Sequence, residues 1–104
     1  MEFIETPTFT KVVTGMISDD DYRKLQAALA RNSKAGDVVP GCHGLRKIRW
    51  PSPDGGKRGG IRGIYYCLPK ERIYMLYAYD KRVTRDLTKK QLKRLMEYVK
   101  EGVL

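Results

Sequence analysis

Six cations fall within one short stretch, residues 45–66, LRKIRWPSPDGGKRGGIRGIYY: Arg46, Lys47, Arg49, Lys57, Arg58 and Arg62, with Asp54 the only acid among them. Alternation over 45–50 predicts a strand with Leu45, Lys47 and Arg49 on one face and Arg46, Ile48 and Trp50 on the other. Two cations on one strand face stand two residue rises apart, roughly 7 Å. That spacing suits successive phosphates of an extended nucleic-acid strand. Arginine offers a forked, permanently charged donor set, well matched to phosphate and to the charge that builds up in phosphoryl transfer. A lysine crowded by arginines loses part of its proton affinity, because like charges disfavour the protonated form. Lys47, beside Arg46 and facing Arg49, is therefore a candidate general base. Cations with nearby tyrosines can bind RNA. They can also cleave it without a metal, by making the RNA's own 2′-hydroxyl the nucleophile.

Other chemistries find little support. The single histidine, His43 in GCHG, has no marked partners for a Ser-His-Asp arrangement and reads as a loop residue. Cys42 and Cys67 lack CxxC spacing and too few other ligands accompany them for zinc, so two reduced thiols and no metal site are expected. GGKRGG does not end in Lys-Ser or Lys-Thr and does not open a helix, so it is not a nucleotide-binding loop. Nothing calls for a cofactor.

The whole chain carries 21 Lys and Arg against 12 Asp and Glu, a net charge of +9, which favours nucleic acid, an acidic membrane surface or an acidic protein. Its 104 residues predict a single domain with one modest core. No apolar run approaches the roughly 20 residues of a membrane span. MEFIETPTF has acids where a secretory signal has basic residues, so a cytoplasmic location is expected.

The elements that must position the cations follow from period and caps. Residues 2–5 predict a short strand; 8–15 suit either a short helix or an extended segment. Ser18 followed by Asp19, Asp20 and Asp21 starts a helix over 19–31, with Tyr22, Leu25, Ala28 and Leu29 as its apolar stripe. Strands are expected at 45–50, about 60–68 and about 71–79, the last two joined by the turn LPKER. Thr88 and Gln91 form a capping box before a final helix, whose Leu92, Leu95, Met96 and Val99 make one face and whose cations make the other. The fold class is thus α+β: a small antiparallel sheet with N-terminal helices on one side and a C-terminal helix. With all helices on one side, the open sheet face would hold the cations. Strict alternation places Arg62 with Ile64 and Tyr66, which requires Arg62 to sit at a bend or beyond the packed part of its strand. Tyr65, Tyr66, Tyr74, Tyr77 and Tyr79 in the strands and Trp50 at the end of an arm are conceivable platforms for RNA bases. One or two of them, such as Tyr65 or Tyr79, are expected to meet a base while the rest build the core.

LRKIRW, then GKRGGIRGIYY, then IYMLYAYDKR and a capped basic helix together resemble the RelE superfamily of toxins from bacterial toxin–antitoxin modules, most closely its HigB-like branch. The resemblance spans about residues 18–100. It implies a RelE-like fold and a toxin that enters the ribosomal A site and cuts the mRNA codon there by metal-free 2′-hydroxyl attack. It implies catalytic roles for Lys47, Arg49, Arg62 and Arg82: the strand pair as phosphate ligands and candidate base, Arg62 at the transition-state charge, Arg82 at the phosphate or leaving group. Arg46, Lys57, Arg58 and Lys81 would then be RNA contacts. A cognate antitoxin, in this branch commonly with a DNA-binding helix-turn-helix, is the implied partner beside ribosome and mRNA. One departure stands out: the best-known members place a tyrosine near the start of the last helix, where this chain has Thr88. Two other readings stay open, a non-catalytic RNA or ribosome binder and a same-fold toxin acting on a protein such as gyrase.

Overall fold

The computed structural model describes residues 1–50, 60–84 and 86–101. It builds β1 (Glu2–Glu5), α1 (Pro7–Thr14), α2 (Asp19–Arg31), β2 (Asp37–Val38), β3 (Arg46–Trp50), β4 (Ile61–Leu68), β5 (Arg72–Asp80) and α3 (Lys89–Lys100). The strands form one sheet in the order β1-β5-β4-β3-β2. β2 through β5 pair antiparallel, while β1 adds at the far edge parallel to β5, so this α+β sheet is mixed. Among the described residues no helix is long and apolar enough to cross a membrane.

Thr6 decides the segment that alternation left open. Its hydroxyl accepts from the Phe9 amide at 3.0 Å, capping α1, and Pro7 occupies the first helical position, where an amide hydrogen is not needed. α2 runs over the expected residues, with the Ser18 hydroxyl accepting from the Asp21 amide and three acids in the first turn. The capping box of α3 is complete: Thr88 Oγ1 accepts from the Gln91 amide at 3.1 Å and Gln91 Oε1 from the Thr88 amide at 2.8 Å.

The helices lie on both sides of the sheet, not on one. α1 and α2 bury Phe9, Val13, Leu25 and Leu29 against Trp50, Ile61, Tyr65, Ile73, Met75 and Ala78. The Phe9, Tyr22 and Trp50 rings meet there with centroids 5.8–6.1 Å apart. Trp50 crosses β4 at Gly63, where a Cβ would approach its ring to 2.9 Å. On the opposite face α3 lays Leu92, Leu95, Met96 and Val99 over Leu45, Ile64, Tyr74 and Leu76. The expected open face is therefore partly covered, because the apolar stripe of α3 needs burial and alternation in β5 supplies a second apolar face.

A β-bulge between β4 and β5 shapes what remains. Tyr65 pairs with Met75 but Ile64 pairs with Tyr77, leaving Leu76 as the extra residue. Before the bulge Ile73 and Met75 face α1 and α2; after it Ala78 does so, and Tyr77 and Tyr79 turn to the α3 face. The Leu76 carbonyl accepts from the Thr6 hydroxyl at 2.8 Å, so the irregular backbone stays satisfied.

Candidate nucleic-acid interface

Three strands bring the cations together. In the sheet register Arg49 on β3 stands opposite Arg62 on β4, and Arg62 opposite Tyr79 on β5. These three side chains share one rung and one face. Lys47, Ile64 and Tyr77 form the next rung in the same manner. Ile64 is buried under the packed part of that face, while Arg62, two residues away, is half-buried and Arg49 exposed. The placement of Arg62 with Ile64 and beyond the core is as alternation requires. Like charges directly across a sheet oppose folding. The Arg49–Arg62 rung thus gives the fold no evident benefit.

The sequence did not single out Asp86, yet it is central to the cluster. Its Oδ1 accepts from the Tyr79 hydroxyl at 2.9 Å and lies 3.7 Å from Lys47 Nζ; its Oδ2 lies 3.5 Å from Lys81 Nζ. The Tyr79 hydrogen bond, then Lys47 and Lys81, hold the Asp86 carboxyl below the usual carboxylate range. Burial, then donation to this anion, pushes the Tyr79 hydroxyl well above its ordinary value. The sequence surrounds Lys47 with cations alone, and the structure adds the Asp86 carboxylate to that setting. The available signal for Asp86 was a lone acid between the basic run after β5 and the cap of α3.

The remaining residues divide. Lys81 joins the cluster through Asp86, and its amide donates to the Gly60 carbonyl at 2.6 Å. Arg82 forks onto Asp80, with Nε 3.2 Å from Oδ1 and Nη2 3.0 Å from Oδ2, while its amide donates to Oδ1 at 2.9 Å. These bonds hold the Asp80 carboxyl low. The clasp closes over Gly60, where a Cβ would fall 2.6 Å from Arg82 Cγ. Lys57 and Arg58 lie outside the described residues.

Two expected RNA contacts point elsewhere. Arg46 is on the opposite face from Lys47, and its Nη1 donates to the Gly36 carbonyl at 2.7 Å and the Lys34 carbonyl at 3.3 Å. Tyr65 is fully buried; its hydroxyl donates to the Ser33 carbonyl at 2.8 Å and accepts from the Gly36 amide at 2.9 Å. Together they fasten the segment between α2 and β2 onto the sheet. Tyr79 stands in the cation cluster, but with 2% exposure its ring has no face to offer a base; its hydroxyl meets Asp86 beside the lysines. Tyr77, stacked on it at 6.4 Å, is the more accessible of the pair.

Among the described residues no three His, Cys, Asp or Glu side chains converge as a metal site, and Cys42 and Cys67 are both free thiols. Fold and site define a small α+β protein with a polycationic cluster at the uncovered end of one sheet face. No protein-family model matches the chain.

Proposed function

We propose that the protein is the toxin of a toxin–antitoxin module, a ribosome-dependent endoribonuclease that cuts mRNA in the A-site codon and so arrests translation. The observation that carries this reading is the Arg49–Arg62 rung with Lys47 and Lys81 beside it, a charge arrangement that opposes folding and matches a phosphodiester backbone. The strings behind the family resemblance coincide with these strands: LRKIRW with β3, IRGIYY with β4, and IYMLYAYD with β5.

In this mechanism the 2′-hydroxyl attacks the adjacent phosphorus, forming the cyclic phosphate as the 5′-oxygen leaves. Arg62 and Arg49 neutralise the two non-bridging oxygens as charge builds there. Lys47 takes the 2′-hydroxyl proton, the departing 5′-oxygen takes a proton from water, and the Arg82 guanidinium, held by Asp80, stabilises the charge on that oxygen. An antitoxin with an acidic contact surface would cover the cations, and the site of action would be the cytoplasm. Primer-extension mapping of a defined mRNA on programmed ribosomes tests the reading. A cut within the A-site codon by the wild type, lost in Arg62→Ala, is the expected result. No cut with ribosome binding intact overturns the enzyme.

One observation favours a second reading, a non-catalytic RNA binder. Thr88 is committed to its capping box and the Tyr79 ring is buried, so neither supplies an aromatic stack. Such a binder would show no cleavage to lose.

A further inference from the structure

We infer that Lys47 Nζ, Lys81 Nζ and the Tyr79 hydroxyl form a cradle for one phosphate group of the bound strand, and that Asp86 holds this place until the phosphate displaces it. The inference rests on the reading that this face binds an RNA backbone, and it adds a defined subsite and an internal competitor for it.

Three observations carry it. All the described partners of the Asp86 carboxylate are donors that a phosphate oxygen would take equally well: two ammonium groups and a hydroxyl. The carboxylate is half exposed, and its ammonium partners stand at 3.5 and 3.7 Å, outside the 2.7–2.9 Å of a tight charged hydrogen bond. Exposed pairs of this kind hold weakly, and an incoming phosphate brings more oxygens to the same donors. Finally, Asp86 lies between β5 and α3, outside any helix or strand, and α3 has its own cap at Thr88. Asp86 can therefore turn away without unwinding an element.

Occupation by an internal anion lowers affinity for any phosphate chain and makes engagement of this subsite conditional on binding elsewhere on the face. Arg49 and Arg62 supply that first attachment.

The test is fluorescence anisotropy with a short single-stranded 2′-O-methyl RNA, which cannot be cleaved, between 50 mM and 1 M salt. Asp86→Asn keeps an acceptor for the Tyr79 hydroxyl and removes the charge. One more phosphate neutralised steepens the slope of log K against log salt by about 0.7. With affinities equal at 1 M, that makes Asp86→Asn about 8-fold tighter at 50 mM. Glu97→Gln on the outer face of α3 changes the net charge equally and is expected to leave the slope unmoved. Equal or weaker binding by Asp86→Asn, or the same gain in Glu97→Gln, overturns the inference while leaving the RNA reading standing. If neither protein binds the oligonucleotide but Asp86→Asn binds inorganic tripolyphosphate more tightly than wild type, the cradle stands and the RNA reading fails. Binding of neither ligand sinks both. Should Asp86→Asn fail to fold, the wild type answers by NMR. The Asp86 carboxyl carbon and Tyr79 ring signals must shift on adding the oligonucleotide, and unmoved signals overturn the displacement.

Discussion

Neutralising Arg49 separates a localised interface from a diffuse positive surface. Among the described residues the face presents Lys47, Arg49, Arg62 and Lys81, with Asp86 between the two lysines and Asp80 near enough to Arg62 for the arginine to help lower its carboxyl. Three phosphates contacted along a single strand correspond to a slope of log K against log salt of about −2. Binding should then weaken about 20-fold between 50 and 200 mM salt. Arg49→Gln removes one charge, so its slope falls to about −1.4 and its affinity at 50 mM drops about 8-fold relative to wild type when the two are matched at 1 M. Arg94→Gln alters the net charge identically at an exposed position of α3, outside the strand rungs that carry the cations, and its slope should stay near wild type. Anisotropy titrations with the uncleavable 2′-O-methyl strand give all three slopes. Arg49→Gln also relieves a like-charge pair across the sheet, so its melting temperature should hold or rise. The reasoning fails if Arg49→Gln and Arg94→Gln lose slope equally. That outcome would mean that the +9 charge of the chain, and not this rung, binds the nucleic acid.

Thr6→Ala removes a helix cap, worth about 1 kcal/mol, and strands the Leu76 carbonyl at about 1–3 kcal/mol. Urea unfolding should show a loss of about 2–4 kcal/mol from these terms, largely spared in Thr6→Ser. Gly63→Ala drives a methyl into the Trp50 ring and should cost about 1–3 kcal/mol by the same measurement, where a neutral result would mean that the ring shifts freely. Asp80 and Asp86 have folded-state pKa values below their ordinary 3.8. Their stabilisation is present above that pH and lost as pH falls through the lowered values, so Asp80→Asn and Asp86→Asn should each flatten the acid limb of a stability–pH curve below about pH 4. Tyr22 and Tyr79 are raised, by burial first and by donation to Glu5 and Asp86 next, so their contribution is intact below about pH 10 and lost above it. In a 295 nm titration these two phenols should ionise only as the protein unfolds; ionisation of all seven tyrosines near pH 10 with the fold intact would contradict their burial.

Much of the frame was legible because its signals are local. Ser18 with three acids, and Thr88 with Gln91, announce helix starts within a single turn. The turn after Leu68 was marked by LPKER, and its Lys70 and Glu71 take positive φ to close the hairpin. Helix α1 was undecided because Val12 and Val13 suit strands as readily as helices, and only the Thr6 cap, anchored to Leu76, resolves it. The part of Arg46 and Tyr65 in fastening the chain was not legible, because residue type shows charge and ring but not which backbone carbonyls they meet; those carbonyls, at residues 33–36, come from a distant segment.

The sequence by itself determined that Lys47 and Arg49 share a strand face and that Arg62 belongs with Ile64, since the period of two is a property of any extended backbone. Only the tertiary structure decided what joins them there. Strict alternation through RIYMLYAY would turn Tyr77 and Tyr79 toward α1 and α2, together with Ile73 and Met75. The extra residue at Leu76 shifts the phase, sends Tyr79 to the cation face, and lets its hydroxyl meet Asp86 between Lys47 and Lys81. A bulge of this kind is a mismatch between two strands stabilised here by a third segment, at Thr6, and no single stretch of the chain encodes it.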